Sequence, residues 1–197
     1  MQKLTRADLF SLEQYSQKRS EFRQRVMAHK KPRRIALGAH LTLCFEDRLT
    51  MQYQIQEMLR VERIFEAAGI EEEIAAYNPL IPDGSNWKAT LMIEYDDVEE
   101  RHEALKKLVG IEDQVVLRIG NNPPIPCFPD EDIERSREEK TSAVHFMRWE
   151  LSDDDRQALA AGEPIIAAVE HPEYPIAAHE LSGESRQSLM ADLDLGD

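Results

Sequence analysis

Along residues 51–70, "MQYQIQEMLRVERIFEAAGI", apolar side chains recur at three- and four-residue steps, the period of an α-helix. Advancing about 100° per residue, Met51, Ile55, Met58, Leu59, Val61, Ile64, Phe65 and Ala68 spread over roughly 220° of the circumference. A helix over about residues 50–68, closed by Gly69, is therefore expected to be buried on more than half its surface. Gln52, Gln56, Arg60 and Arg63 fall in the remaining sector and read as solvated. Gln54, Glu57, Glu62 and Glu66 fall inside the apolar arc, Glu57 and Glu66 near its edges and Gln54 and Glu62 well within it. An ionised carboxylate in a core costs several kcal/mol unless it is paired, so the inner two residues demand partners.

Upstream, Thr5 can cap a basic amphipathic helix over about residues 5–30, with Leu9, Leu12, Tyr15, Phe22 and Val26 on its apolar side. "RRIALGAHLTLCFED" alternates in two short runs around Gly38, the pattern of a hairpin or bulged strand. Downstream, "EEEIAAYN" reads as a short helix and "NPLIPDGSN" as a loop. "ATLMIEY", "DQVVLRIG", "SAVHFMRWEL" and "PIIAAVEH" read as strands, with helices at "DVEERHEALKKLVG" and "DDDRQALAAG" and an amphipathic piece at "GESRQSLMADLDL". Between them, "NNPPIPCFPDED" lacks backbone donors at four prolines and is expected as an exposed, stiff loop over about residues 121–130, followed by the charged segment "EDIERSREEK". Several strand-to-strand connections are too short for parallel crossovers. The expected architecture is a single α+β domain over residues 1–197, with helices packed on a mixed or mainly antiparallel sheet.

Charge refines this picture. The chain carries a formal −14, but residues 1–34 hold ten Lys or Arg against three Asp or Glu, a local +7 that leaves −21 on the remainder. The acidic total argues against nucleic acid as a partner. The split points to complementarity within the chain or between subunits of a homo-oligomer, or to docking on an acidic partner. No apolar run reaches signal-peptide length, nor the roughly 18 residues a membrane helix needs, so a cytoplasmic location without membrane contact is expected. Cys44 and Cys127 form neither a metal-binding pair nor a disulfide framework.

Candidate chemistry centres on partners for the helix. Arg33, Arg34 and Arg148 can neutralise its carboxylates, while His40, His145 and His171 can bond to them. In "SAVHFMRWEL" a period of two sets Ala143, His145, Met147, Trp149 and Leu151 on one face and Val144, Phe146 and Arg148 on the other, so both faces are largely apolar and His145 and Arg148 are expected half-buried. Gln54, Glu57, Glu62, His145 and Arg148 thus form the candidate binding set, with Glu62 and His145 as candidate metal ligands; the pattern specifies no cofactor. His40, Thr42, Cys44 and Glu46 share one face of a strand, read as half-exposed in preference to metal-binding. His171 and Tyr174 in "VEHPEYP" can line a cleft at a sheet edge or pack as an ordinary loop. Cys127 has only acids near it in sequence and is expected to be unreactive. Arg33, Arg34 and Arg60 lack the Gly-rich cradle of a nucleotide binder, and the phosphate-loop, dinucleotide, zincin, nucleophile-elbow and EF-hand motifs are absent.

Together, "RRIALG", "FEDRLTMQYQIQEMLRVERI", "YNPLIP", "ATLMIE", "AVHFMRWEL" and "EHPEY" resemble the bacterial domain-of-unknown-function family DUF3501 over about residues 4–194. The resemblance carries no catalytic residues. It implies a context, because relatives are often encoded beside rubrerythrin-like proteins and iron–sulfur proteins related to heterodisulfide reductase subunits. Two cysteines do not supply the usual four thiolates of an iron–sulfur cluster, so the expectation is an accessory protein that binds such a redox partner. The alternative is a metal-binding protein or metalloenzyme with a Glu/His site between the central helix and the sheet.

Overall fold

The computed structural model describes residues 2–129, 140–181 and 183–195. Its elements are α1 (Leu12–Lys30), β1 (Arg34–Leu37), β2 (Leu41–Phe45), α2 (Arg48–Val61), α3 (Ala67–Tyr77), β3 (Asn86–Ile93), α4 (Val98–Lys107), β4 (Val115–Ile119), β5 (Cys127–Pro129), β6 (Val144–Glu150), α5 (Asp153–Ala160), β7 (Ile165–Val169), β8 (Ile176–Leu181) and α6 (Gly183–Met190). The strands form two sheets, in the orders β1-β2-β3-β6-β5 and β4-β7-β8. Every strand pair among the described residues is antiparallel, which makes this an α+β fold.

Period-two patterning explains how the sheets meet. Leu41, Leu43 and Phe45 of β2 are buried, as are Ala89 and Leu91 of β3 and His145, Met147 and Trp149 of β6. Val115, Leu117 and Ile119 of β4 and Ile165, Ala167 and Val169 of β7 are buried in the same way. The apolar members of both sets belong to one continuous core. Because the side-chain period is two, slipping any of these strands by one residue would turn its buried set towards solvent, and this fixes the register. The outward residues of β6 are only half-buried, so this strand is not sealed on both faces.

The proline-rich segment stitches the sheets together. The Ile125 N–H donates to the Leu117 carbonyl at 2.8 Å, and the Glu150 N–H donates to the Pro126 carbonyl at 3.1 Å. Cys127–Pro129 then adds an edge strand to β6, where proline is tolerated. Pro123, Pro124 and Pro126 are exposed as expected, but Ile125 is buried in the shared core. Asp130 and most of the charged segment that follows lie outside the described residues.

Helices α1 to α3 build separate cores. Leu4, Met51, Ile55, Leu59, Ile74 and Ile81 form one; Tyr15, Phe22 and Val26 form another with Phe10, Leu49 and Tyr53 against them. The first helix is capped by Ser11, whose hydroxyl accepts from the Gln14 N–H at 3.2 Å, and not by Thr5. Thr5 opens only a single 3-10 turn, its N–H and hydroxyl both donating to the Asp8 carboxylate.

The expected continuous helix over about residues 50–68 is two helices. Helix α2 stops at Val61, and Arg63 adopts a left-handed φ of 55°. The Ile64 N–H then donates to the Leu59 carbonyl at 3.0 Å, the closing bond of a Schellman motif, while Ile64 packs against the core that holds Leu59. Gly69, expected just beyond the helix end, lies inside α3. A left-handed backbone costs an L-residue roughly 1–2 kcal/mol, and glycine avoids most of that cost. Arg63→Gly is therefore expected to raise unfolding free energy by about 0.5–1 kcal/mol after the extra chain entropy is set against it. Urea denaturation measures the change, and a loss of stability would refute this account of the turn.

Candidate functional site

The end of α2 changes the setting of the candidate binding set. Glu62 is the C-cap of α2 and is exposed, as are Val61, Phe65 and Glu66. Its expected burial is thereby corrected, because the chain turns away one residue later and the core that buries Met51, Ile55 and Leu59 ends before it. Gln54 is half-buried, and its side chain makes no hydrogen bond among the described residues.

The buried amide is instead Gln56, which is 0% exposed although it lies in the sector that reads as solvated. The extended segment before α1 runs across that face. Gln56 accepts from the Phe10 N–H at 2.6 Å and donates to the Phe10 carbonyl at 3.3 Å, while Gln52 donates to the Asp8 carbonyl at 2.7 Å. These amides satisfy peptide groups that belong to no regular helix or strand ladder.

Glu57, at the edge of the arc, joins α1 to α2. It accepts from the Tyr15 hydroxyl at 2.7 Å and takes both arms of Arg19, at 2.7 and 2.8 Å, with Arg60 at 3.3 Å. The Arg19 bonds, reinforced by Tyr15 and Arg60, pull the Glu57 carboxyl down to about 2. Burial and the Glu57 charge push the Tyr15 phenol well above its ordinary value.

His145 and Arg148 occupy opposite faces of β6. His145 is fully buried, with Nε2 lying 3.0 Å from the Ser142 carbonyl and 2.8 Å from the Thr141 hydroxyl. A carbonyl can only accept, so Nε2 carries the proton. The Thr141 hydroxyl in turn donates to Glu112 at 3.1 Å, with the Glu112 carboxylate 3.8 Å from the imidazole. Arg148 pairs with Glu150 and lies over the Phe128 ring, 4.5 Å from its centroid. Among the described residues neither Glu57 nor Glu62 bonds to or pairs with His145 or Arg148, so the structure does not bring Glu62 to His145. Among the described residues, no three His, Cys, Asp or Glu side chains are grouped to hold a metal ion.

Other candidates also have defined places. Thr42 donates to Glu94 at 2.7 Å, and Glu46 is buried and accepts from Thr90 at 2.9 Å. Burial, with Glu46 nearby, raises the Cys44 thiol's pKa. His171 is buried, and its Nδ1 accepts from the Glu173 N–H at 3.2 Å, so Nε2 donates to the Val109 carbonyl at 3.2 Å. The basic arm divides into two groups. Arg19, Arg33 and Arg34 are held by Glu57, Asp192 and Glu94, whereas Arg6, Lys18, Arg23, Arg25 and Lys31 are exposed and form no ion pair among the described residues. At the N-terminal end of α1, Leu9, Leu12, Leu59, Ile64, Phe65 and Ile70 line an open groove of about 660 Å³, with Phe65 67% exposed.

The family model for a protein of unknown function, DUF3501, matches residues 3–193. The chain belongs to the DUF3501 family. It is also similar to a novel protein of unknown function from Burkholderia pseudomallei K96243, whose crystal structure is 50% identical in sequence with a TM-score of 0.93, covering 98% of this chain and 100% of that one. No curated protein matches the chain.

For this DUF3501 protein the polar contacts of α2 lead to two expected outcomes. Gln56→Ala leaves both peptide groups of Phe10 without their side-chain partner and should cost about 1–3 kcal/mol, whereas Glu62→Ala should stay within about 0.5 kcal/mol of the parent. Comparable losses in urea denaturation would contradict the assignment. Glu57's folded pKa of about 2 lies below its ordinary 4.5, so its contribution to stability is present above pH 4.5 and is lost as pH falls towards 2. Glu57→Gln should flatten the stability profile in that window and leave the slope above pH 6 unchanged, as read by denaturation across pH.

Proposed function

We propose that this protein is an accessory module that docks an acidic redox protein through α1 and the adjoining apolar groove. The observation that carries this reading is the set of exposed cations Arg23, Arg25 and Lys31, which form no ion pair among the described residues, whereas Arg19, Arg33 and Arg34 of the same segment are engaged within the chain. Exposed cations without internal partners can steer a negatively charged surface and fix its orientation. Phe65, standing open beside the groove, offers an apolar anchor of the kind that fills the centre of a protein interface. The redox character of the partner, a rubrerythrin-like or iron–sulfur protein, is what the family resemblance implies.

The charge of α1 makes the interaction salt-sensitive. Affinity capture from cells of the parent organism, using the full chain as bait, is expected to recover an iron–sulfur or rubrerythrin-like protein at low salt and severalfold less at moderate salt. The double charge reversal Arg23→Glu/Arg25→Glu should reduce low-salt recovery to a similar extent. Failure to recover either class at both salt levels, or equal recovery by the reversed variant, would count against the docking face.

A further inference from the structure

A second groove lies between α4 and the turn that precedes β8. It measures about 400 Å³, and its lining includes Tyr95, Tyr174, Glu100, Glu103, Glu173 and Lys107. Two tyrosines from distant parts of the chain meet there through His40. The imidazole lies flat on the Tyr95 ring, with centroids 3.9 Å apart and planes 7° apart, and meets the Tyr174 ring edgewise at 6.5 Å.

This aromatic wall is held rigidly. The Tyr174 hydroxyl accepts from the His40 N–H at 2.8 Å, and the His40 Nδ1–H donates to the Glu94 carbonyl at 3.0 Å. Gly38 permits the arrangement: its φ is +77°, and a Cβ there would sit 2.6 Å from the Tyr174 oxygen. The groove is therefore formed by the fold itself.

Its electrostatics select the ligand. Three carboxylates face one ammonium, that of Lys107. Glu103 is paired with Lys106, but Glu100 and Glu173 form no ion pair among the described residues and come from opposite walls, α4 and the turn before β8. Burial, followed by the neighbouring Tyr174 phenol and Glu100 carboxylate, raises the pKa of the Tyr95 phenol. An anion would be repelled. The carboxylates are not grouped as ligands for a metal ion. Aromatic faces attract organic cations, and a chain with separated ammonium groups can reach both acidic walls while its methylenes cover the tyrosines.

We propose that the groove walled by Tyr95 and Tyr174 and flanked by Glu100 and Glu173 is a binding site for a linear di- or polyamine. The site is separate from the face assigned to α1. Isothermal titration of the full chain with spermidine at moderate salt is expected to show saturable one-to-one binding, with butylamine, which carries a single ammonium, at least tenfold weaker. The double variant Glu100→Gln/Glu173→Gln, both positions being exposed, and separately Tyr95→Leu should each weaken spermidine at least tenfold, with circular dichroism confirming the fold. Absence of saturable binding, or binding that both variants retain, would overturn the proposal. So would equal competition by magnesium, because that result marks diffuse attraction to an acidic chain.

Discussion

Arg33 is 1% exposed, and an arginine side chain cannot shed its charge. The structure around it is arranged to satisfy that charge. Its Nε donates to the Phe45 carbonyl at 3.0 Å, and Nη2 donates to the Glu46 carbonyl at 3.0 Å. Asp192 takes both outer nitrogens, at 3.1 and 2.5 Å, while the Ser188 carbonyl and hydroxyl each accept from Nη1 at 3.2 Å. Asp47 lies 3.5 Å from the guanidinium, caps α2 through the Thr50 N–H and binds His29 of α1 at 2.5 Å. One side chain thus joins the end of α1, the end of β2, the start of α2 and the segment after α6.

Removing one member of such a buried pair typically costs about 3–5 kcal/mol, because the other charge is left without compensation. The two aspartates respond differently to the shared arginine. Burial would raise Asp47, but Arg33, the Thr50 N–H and His29 hold its carboxyl below the ordinary range. For Asp192, burial prevails over Arg33 and lifts the carboxyl to about 6. Nearby, the buried Trp87 donates through Nε1 to the Leu189 carbonyl at 2.9 Å, so the C-terminal helix is tied to β3 as well as to Arg33.

This knot explains how two kinds of core coexist in one chain. The sheets share one apolar interior, whereas α1, α2 and α3 bury their own clusters. Polar contacts provide links across the seams, among them Arg33 with Asp192 and Arg19 with Glu57. The two proposed binding faces lie on different parts of this frame: α1 beside the helical clusters, and the Tyr95–Tyr174 groove beside the sheets. Each places solvent-facing charges on a scaffold whose geometry is fixed by buried neighbours.

Local chemistry made much of the fold legible in the sequence. The β1–β2 hairpin followed from alternation and Gly38, α4 from the Asp97 cap and Gly110, and the buried face of β6 from its period of two. Strand β8 was not visible, because "IAAHEL" is alanine-rich and barely alternates; its pairing with β7 defines it. The turn at Arg63 was hidden for a related reason, since a left-handed cap normally announces itself by glycine and here Ile64 seated on its core compensates for the wrong residue.

For the candidate site, sequence alone determined that α2 carries polar groups within an apolar arc; it pointed to Gln54 and Glu62 as the ones in need of partners and set Glu57 at the edge of the arc, within reach of water. Only the tertiary structure decided that Gln56 is the enclosed amide, that Glu62 stands in solvent, and that Arg33 is answered by Asp192 from far along the chain. Helical periodicity reports which residues share a face. It does not report what covers that face, because the covering segment is chosen by long-range packing, and neither the segment before α1 nor the tail after α6 carries a local mark of where it will lie.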